Sequence, residues 1–188
     1  ILHRLYLTGR AERVLIILPE SLMHQWFIEL MRRFNLFASL FDEERCRAIE
    51  SSAPETNPFL DSQIICVSLD YLSRSQESFV QVLDAGWDLL IVDEAHHLEW
   101  TPEEASPAYL MIQGLAEKTS SVLLLTATPQ QLGAEGHFAR LRLLDPIRYN
   151  DLDRFVQESD HHQEMAELID GIECKEELTE LEWGMIEK

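Results

Sequence analysis

Residues 89–92, Leu-Leu-Ile-Val, constrain the fold of this 188-residue chain more than any other stretch. A short run of consecutive apolar residues is typical of a β-strand that is buried on both faces, as strands are in parallel sheets. The run leads directly into Asp93 and Glu94. Ligands of parallel sheets gather beyond the carboxyl ends of the strands, so a site is expected there. Successive strand residues point to opposite faces, and we therefore expect the two carboxylates to have different roles.

Similar apolar runs recur along the chain and alternate with helical patterns. The predicted strands are 13–18, 36–41, 63–68, 88–92 and 121–126. Apolar residues at the helical period predict helices over about 1–7, 21–34, 42–50, 79–83, 102–116 and 137–144. Ser21 is expected to cap the second of these helices. Strands that alternate with helices favour an α/β fold with a parallel sheet and right-handed crossovers.

Charge and cysteine content limit the classes of function. The net charge is −19, and residues 48–188 carry eight basic and 28 acidic residues. Such a field repels nucleic acid at long range, so any contact with DNA or RNA would have to be local. No apolar run approaches the roughly 18 residues of a membrane span. The cysteines at 46, 66 and 174 are far apart, which indicates neither a disulfide framework nor a zinc site and fits a reducing cytoplasm.

Two stretches resemble the motifs of a known enzyme superfamily. Residues 93–96, Asp-Glu-Ala-His, resemble motif II, the Walker B box, of superfamily-two helicases and translocases. Residues 123–129, Leu-Leu-Leu-Thr-Ala-Thr-Pro, begin about 30 residues later and resemble motif III. Taken alone, the first stretch could be a solvated acidic turn, and the second could be a Thr and Pro that end a strand. Their order and spacing favour the superfamily interpretation.

Further stretches narrow the resemblance to the Swi/Snf-type ATPases. Residues 14–19, together with Ser21-Leu22 and Gln25-Trp26, resemble motif Ia. Residues 67–72 resemble motif Ib, and residues 143–146 resemble the segment that follows motif III. The likeness covers about residues 1–155, and it extends to the bacterial members of the family that associate with RNA polymerase. It implies a RecA-like parallel sheet flanked by helices.

The resemblance also implies a chemistry for the acidic box. The whole enzyme would hydrolyse ATP to move along double-stranded DNA, or along RNA, during RNA polymerase recycling and transcription regulation. Asp93 would hold the Mg²⁺ ion through water, which suits a cation that binds a few carboxylates together with phosphate oxygens. Glu94 would orient and deprotonate the attacking water. His96 would relay the state of the nucleotide toward motif III.

Motifs Ia, Ib and III would connect this chemistry to nucleic acid. The resemblance implies that Thr126, Ala127 and Thr128 receive the signal from His96. Ser21 and Ser68 would lie on the nucleic-acid side, where a hydroxyl group can bond to phosphate.

The chain departs from the family pattern in one respect. Sites of this class need Gly-x-x-x-x-Gly-Lys-[Ser/Thr] to bind the phosphates, and none of the three lysines here follows a glycine. We therefore interpret residues 1–150 as a partial first RecA-like lobe without its phosphate-loop strand, and residues 151–188 as an acidic helical extension or linker. We expect this piece alone to be inactive as an ATPase. We also expect it to be poorly soluble, because the strand that holds Leu123 to Leu125 would be an open sheet edge.

Two other interpretations stay open at this point. The chain could be a protein-interaction module that keeps the fold and has lost catalysis, or part of a strand-separating helicase. The Swi/Snf interpretation implies a monomeric, cytoplasmic, nucleoid-associated bacterial protein that needs ATP and Mg²⁺, contacts RNA polymerase and does not contact a membrane.

Overall fold

The computed structural model describes residues 1–127 and 133–159. The chain divides into two compact units, residues 1–146 and 147–188. The first unit contains a five-stranded sheet in which every neighbouring pair of strands is parallel. The predicted parallel α/β fold is thereby confirmed.

The sheet has the strand order β2-β3-β1-β4-β5. The strands are β1 Val14–Leu18, β2 Ser39–Phe41, β3 Ile64–Ser68, β4 Leu89–Val92 and β5 Ser121–Leu124. The α-helices described in this unit are α1 Leu2–Leu7, α2 Met23–Phe34, α3 Glu43–Ser52, α4 Leu69–Arg74, α5 Gln76–Asp84, α6 Pro107–Lys118 and α7 Gly133–Leu144. Each predicted strand is present, and the largest shift of a strand start is at β2, which begins at Ser39 rather than at residue 36.

Alternate residues of the central strands pack into two separate apolar layers. Leu15 and Ile17 of β1 join a cluster that includes side chains of α3 to α7. Ile16 and Leu18 point to the opposite face and join a cluster with α2, against which α1 also packs. Every residue of β1 is at most 1% exposed. This double burial is the reason that the strands read as unbroken apolar runs in the sequence.

Strand β5 lies at an edge of the sheet, as predicted for the strand that holds Leu123 to Leu125. It pairs with β4 on one side only. Its residues are exposed or half-buried, whereas the four residues of β4 are all buried. Among the described residues, the apolar side chains of β5 are therefore covered less completely than those of any central strand.

Four predicted helix starts are wrong. Two helices begin earlier than predicted, α5 at Gln76 rather than at residue 79 and α7 at Gly133 rather than at residue 137. Ser21 does not cap α2, because a 3₁₀ turn over Glu20–Leu22 comes first and α2 begins at Met23. The helix predicted from residue 102 begins instead at Pro107, where the Ser106 hydroxyl accepts a hydrogen bond from the Tyr109 N–H at 3.1 Å. Both Pro102 and Pro107 suit the first turn of a helix, and each follows a residue whose hydroxyl accepts a hydrogen bond from an N–H three residues further on. The local signal therefore does not decide between the two starts.

A further difference concerns the segment after β3. The helices predicted from the sequence do not include this segment, but Leu69–Arg74 form α4. Ser68 ends β3 and caps α4 at the same time, since its hydroxyl accepts a hydrogen bond from the Tyr71 N–H at 3.1 Å. Ser75 then caps α5 in the same way. The chain thus passes from strand to helix without an intervening loop.

The second unit is described for residues 147–159. Residues 152–159 are helical, and the Asp151 carboxylate accepts a hydrogen bond from the Arg154 N–H at 3.0 Å, as an N-cap does. Arg154 also bonds to Glu158 one turn further on. None of the helices in the described residues is long and apolar enough to cross a membrane.

Candidate active site at the carboxyl end of β4

The backbone that follows β4 is held by strands on both sides. The Asp93 N–H donates to the Ile17 carbonyl of β1 at 2.9 Å. On the other side, the Leu125 N–H donates to the Val92 carbonyl at 2.8 Å, and the Ala95 N–H donates to the Leu125 carbonyl at 2.9 Å. The acidic box is therefore fixed at the carboxyl edge of the sheet, as the sequence predicted. The same bonds connect the predicted motif II directly to the start of the predicted motif III.

The Asp93 carboxylate is oriented by two N–H donors. Asp93 continues the alternation of Leu89 and Ile91, which places its side chain on the face covered by α2. There its Oδ2 accepts a hydrogen bond from the indole Nε1 of Trp26 at 2.9 Å. Its Oδ1 accepts a bond from the Glu94 N–H, also at 2.9 Å. Each carboxylate oxygen is thus held by one donor.

Glu94 has an unusual backbone conformation. Its φ of 52° and ψ of 40° lie in the left-handed region, which a non-glycine residue adopts at a cost. This conformation ends the strand and turns the chain into the 3₁₀ turn Ala95–His97. The Glu94 side chain is 31% exposed, so it faces solvent at the edge of the sheet. The strained residue is the one to which the resemblance assigns the activation of water.

His96 lies beside Glu94. Its Nδ1 is 3.0 Å from Oε2 of Glu94, which is ion-pair distance, but the two groups are not aligned as a hydrogen bond. The His96 and His97 rings also contact each other, with their centroids 4.0 Å apart. His96 therefore touches the predicted base directly, while its neighbour Ala95 is bonded to Leu125.

The residues at this edge fit a Mg²⁺ ion. A carboxylate oxygen has about two acceptor positions, so each Asp93 oxygen keeps one after its N–H bond. In the described part of the chain, no three His, Cys, Asp or Glu side chains cluster as a complete metal cage. Mg²⁺ does not require such a cage, because it usually retains water and binds one or two carboxylates together with substrate phosphates. Asp93 is the side chain placed to hold it.

The predicted motif III residues are only partly described. Thr126 is half-buried and Ala127 is exposed just beyond β5, whereas Thr128 lies outside the described residues. The route from His96 to Thr126 is short, since the Ala95 N–H bonds to the carbonyl of Leu125. The roles of Thr126, Ala127 and Thr128 stay predictions.

The two serines predicted to contact nucleic acid differ in their surroundings. Both follow neighbouring strands, β1 and β3, and so lie at the same edge of the sheet. Ser21 is exposed in the turn before α2. Ser68 is 3% exposed, and its hydroxyl caps α4. In this conformation Ser68 offers a phosphate little surface. Both contacts stay predictions.

A cavity of about 420 Å³ opens beside these serines, beyond the ends of β1, β2 and β3. Its charged lining residues are Glu20, Asp42, Glu43, Glu50 and Glu77, with Arg47 and Arg74. Burial raises the pKa of the Tyr71 hydroxyl and of the Cys46 thiol at its base. The cavity is therefore acidic and does not attract phosphate.

Trp26 is a site residue that the sequence did not reveal. Its place in the apolar stripe of α2 predicts a core residue, and it does pack against the second apolar cluster. The apolar pattern gives no information on its indole N–H, which reaches Asp93 across 67 positions of sequence. The available signal was its position on the helix that covers the Asp93 face of the sheet.

The sequence profile of the SNF2-related domain matches residues 2–182. The chain belongs to this family. The resemblance to Swi/Snf-type superfamily-two proteins is thereby confirmed, while the assignment of the acidic box to motif II stays a prediction.

Curated relatives support the same assignment. The chain is 53% identical over 189 aligned residues to the RNA polymerase-associated protein RapA of Vibrio campbellii, a match that covers 96% of the chain and 19% of the relative. It is 57% identical over 169 residues to RapA of Photobacterium profundum, which covers 90% of the chain and 17% of the relative. The chain thus spans about a fifth of the length of the curated relatives that it matches.

A solved structure has the same fold. The SWI2/SNF2 ATPase core of Sulfolobus solfataricus in complex with double-stranded DNA matches with a TM-score of 0.61 and 19% sequence identity. The match covers 81% of this chain and 29% of the other. The RecA-like fold predicted from the sequence is thereby confirmed.

Proposed function

We propose that this chain provides the metal- and water-binding half of an ATP-hydrolysing site in a Swi/Snf-type translocase. Asp93 holds Mg²⁺ through water, and Glu94 orients the attacking water and accepts its proton. When bound, the metal ion neutralises charge on the phosphates. Positioning and charge neutralisation are what phosphoryl transfer mainly requires from a protein. The phosphate-binding motif is not among these 188 residues, so the proposal concerns one half of the site.

The observation that carries this proposal is that two adjacent carboxylates differ in their hydrogen bonding and in their exposure to solvent. Asp93 is fixed through both of its oxygens by the N–H groups of Trp26 and Glu94. Glu94 is turned away from it by a left-handed backbone, is 31% exposed and lies beside His96. A metal ligand benefits from a fixed orientation, and a general base must reach water. A solvated acidic turn would need neither arrangement.

The relatives support a proposal for the substrate and the partner. The solved relative is in complex with double-stranded DNA, and the curated relatives carry RNA polymerase association in their names. We propose that the whole protein moves along double-stranded DNA, that it associates with RNA polymerase, and that its activity serves the recycling of the polymerase. We propose that any DNA contact of this chain lies at exposed sites such as Ser21, because the cavity beyond β1 to β3 is acidic.

The test is ATP hydrolysis by the full-length protein, measured with and without double-stranded DNA. Glu94→Gln removes the base and keeps the size of the side chain. We expect its DNA-stimulated rate to fall by about 100-fold or more, which is the usual contribution of a general base. Glu99→Gln is the matched control, since Glu99 is an exposed glutamate five residues further on. It should hydrolyse ATP at the wild-type rate.

A second measurement separates a translocase from a strand-separating helicase. On the same preparations, displacement of a third strand from a triplex is compared with unwinding of a duplex. We expect ATP-dependent triplex displacement without unwinding, and loss of displacement in Glu94→Gln. Undiminished ATPase in Glu94→Gln, or absence of ATPase in the wild type, contradicts the proposed function.

A further inference from the structure

The hydrogen bond between Trp26 and Asp93 joins α2 to the proposed metal site. The indole Nε1 is 2.9 Å from Oδ2 of Asp93. We propose that Trp26 is a positioning residue that sets the orientation of the Asp93 carboxylate for Mg²⁺. The inference rests on the proposed function, because it gives Asp93 the role of metal ligand.

The chemistry of the indole suits this task. The indole N–H is a donor and has no acceptor, so it cannot compete with Asp93 for the cation. It binds one oxygen of the carboxylate while the Glu94 N–H binds the other, and together they fix the rotation of the group. Residues that donate a hydrogen bond to a metal ligand commonly affect the affinity of the site for its metal ion.

The packing of Trp26 differs from that of a purely structural tryptophan. Trp26 is half-buried and lines two mostly apolar cavities, of about 430 and 270 Å³, so the core does not enclose it fully. Trp87 is 5% exposed, and its indole N–H donates to the Val82 carbonyl at 2.8 Å. Both residues make one indole hydrogen bond. Only the bond of Trp26 ends on a side chain of the acidic box.

The position of Trp26 also connects the site with the start of α2. The exposed Ser21 lies five residues earlier, in the turn that leads into the helix. A displacement of α2 would carry the indole N–H with it and would rotate or release the Asp93 carboxylate. The metal site is thus sensitive to the placement of α2, whichever ligand causes the displacement.

The test compares Trp26→Phe with Trp87→Phe in the full-length protein. Each substitution removes one indole N–H and keeps an aromatic ring. Mn²⁺ is the probe, and its affinity is measured by electron paramagnetic resonance in the presence of a non-hydrolysable ATP analogue. We expect Trp26→Phe to weaken Mn²⁺ binding by about 10-fold, the lower end of the usual effect for such partners. Trp87→Phe should lower the thermal unfolding midpoint and leave the Mn²⁺ affinity unchanged.

The same variants give a kinetic readout. The Mg²⁺ concentration for half-maximal ATPase should rise in Trp26→Phe by the factor found for Mn²⁺, and saturating Mg²⁺ should restore most of the rate. A merely structural role would move neither quantity selectively. If Trp26→Phe does not fold, 3-benzothienylalanine at position 26 keeps the shape of the bicyclic ring and lacks the N–H.

Three results would overturn the inference. They are an unchanged Mn²⁺ affinity in a folded variant without the N–H, an equal loss in Trp26→Phe and Trp87→Phe, and no Mn²⁺ binding by the wild type with nucleotide. The first two results are distinguishable from a failure of the proposed function. If the proposed function fails, Glu94→Gln keeps its ATPase activity. If only the inference about Trp26 fails, Glu94→Gln is inactive and Trp26→Phe has a normal metal dependence.

Discussion

The carboxyl ends of β4 and of β3 lie at the same edge of one sheet, but their polar residues are used differently. At the end of β4, Asp93 is half-buried with its oxygens held in place, and Glu94 is turned toward solvent. At the end of β3, the hydroxyl of Ser68 is buried and caps α4. A polar residue at a strand end is therefore available to a ligand only where the following helix does not need it as a cap.

The local chain explains this difference. After β3 the helix begins at once, so the N–H groups of its first turn need an acceptor, and Ser68 supplies it. After β4 the left-handed Glu94 leads into a short 3₁₀ turn that has no side-chain cap. Neither carboxylate of the acidic box caps this turn, and each Asp93 oxygen keeps one acceptor position beside its N–H bond.

The largest effect should come from Asp93→Asn, which weakens the end of β4 as a metal site. We expect ATP hydrolysis by the full-length protein to fall by about 100-fold or more, because a bound metal contributes several kcal/mol to such reactions. The dependence of the remaining rate on Mg²⁺ should shift to higher concentrations. A steady-state titration with Mg²⁺ measures both quantities. If the Mg²⁺ titration of Asp93→Asn is the same as that of the wild type, the end of β4 is not a metal site and does not differ from the end of β3 in this respect.

Ser68→Ala tests the other side of the comparison. Loss of the N-cap should cost about 1 kcal/mol of stability. Ser68→Thr keeps the hydroxyl and should recover most of the stability that Ser68→Ala loses. Chemical denaturation of the full-length protein measures the free energy of unfolding of each variant. DNA affinity should be the same in all three proteins if Ser68 acts only as a cap. A selective loss of DNA affinity in Ser68→Ala would instead support the phosphate contact predicted from the sequence.

Ser21→Ala should change DNA affinity and leave stability unchanged. Ser21 is exposed and caps no helix, so the unfolding midpoint should not change. One hydrogen bond to a phosphate is worth about 1 kcal/mol, so DNA affinity should fall by about fivefold at constant salt. Fluorescence anisotropy with labelled duplex measures this. Equal affinity for the two proteins would exclude the Ser21 contact.

A pH-dependent effect is expected at Cys66, two residues before Ser68 on β3. Burial raises the pKa of its thiol to about 12, against 9.0 for the unperturbed group. The native thiol therefore keeps its proton while the unfolded one loses it, so this stability contribution is present below pH 9 and is lost as the pH rises toward 12. Cys66→Val should flatten the decline in stability between pH 9 and 10.5. Parallel curves for the two proteins would contradict the buried, neutral thiol.

The sequence predicted the parts that depend on local pattern. The double burial of β1 and β4 produces unbroken apolar runs, and the carboxylates directly after β4 mark the edge where a site forms. Motif order and spacing then indicated the family. These signals lie within single segments, which is why no structure was needed to find them.

The remaining features depend on contacts between distant segments or on competition between similar signals. The Trp26 bond to Asp93 joins α2 to β4, and an apolar stripe does not reveal where an indole N–H points. The start of α6 differs from the prediction because Pro102 and Pro107 carry the same signal, and each follows a residue whose hydroxyl accepts a capping hydrogen bond. The sequence also did not reveal that Ser68 caps α4, because this role requires that the helix begin directly after the strand.

The central claim is that two adjacent carboxylates do separate work, Asp93 on the metal and Glu94 on the water. The most direct test is single-turnover cleavage of ATP by full-length Glu94→Gln, with Mg²⁺-dependent nucleotide affinity measured on the same preparation. We predict an unchanged affinity and a cleavage rate about 100-fold or more below the wild type. Cleavage at the wild-type rate, or loss of affinity together with cleavage, would contradict the division of roles.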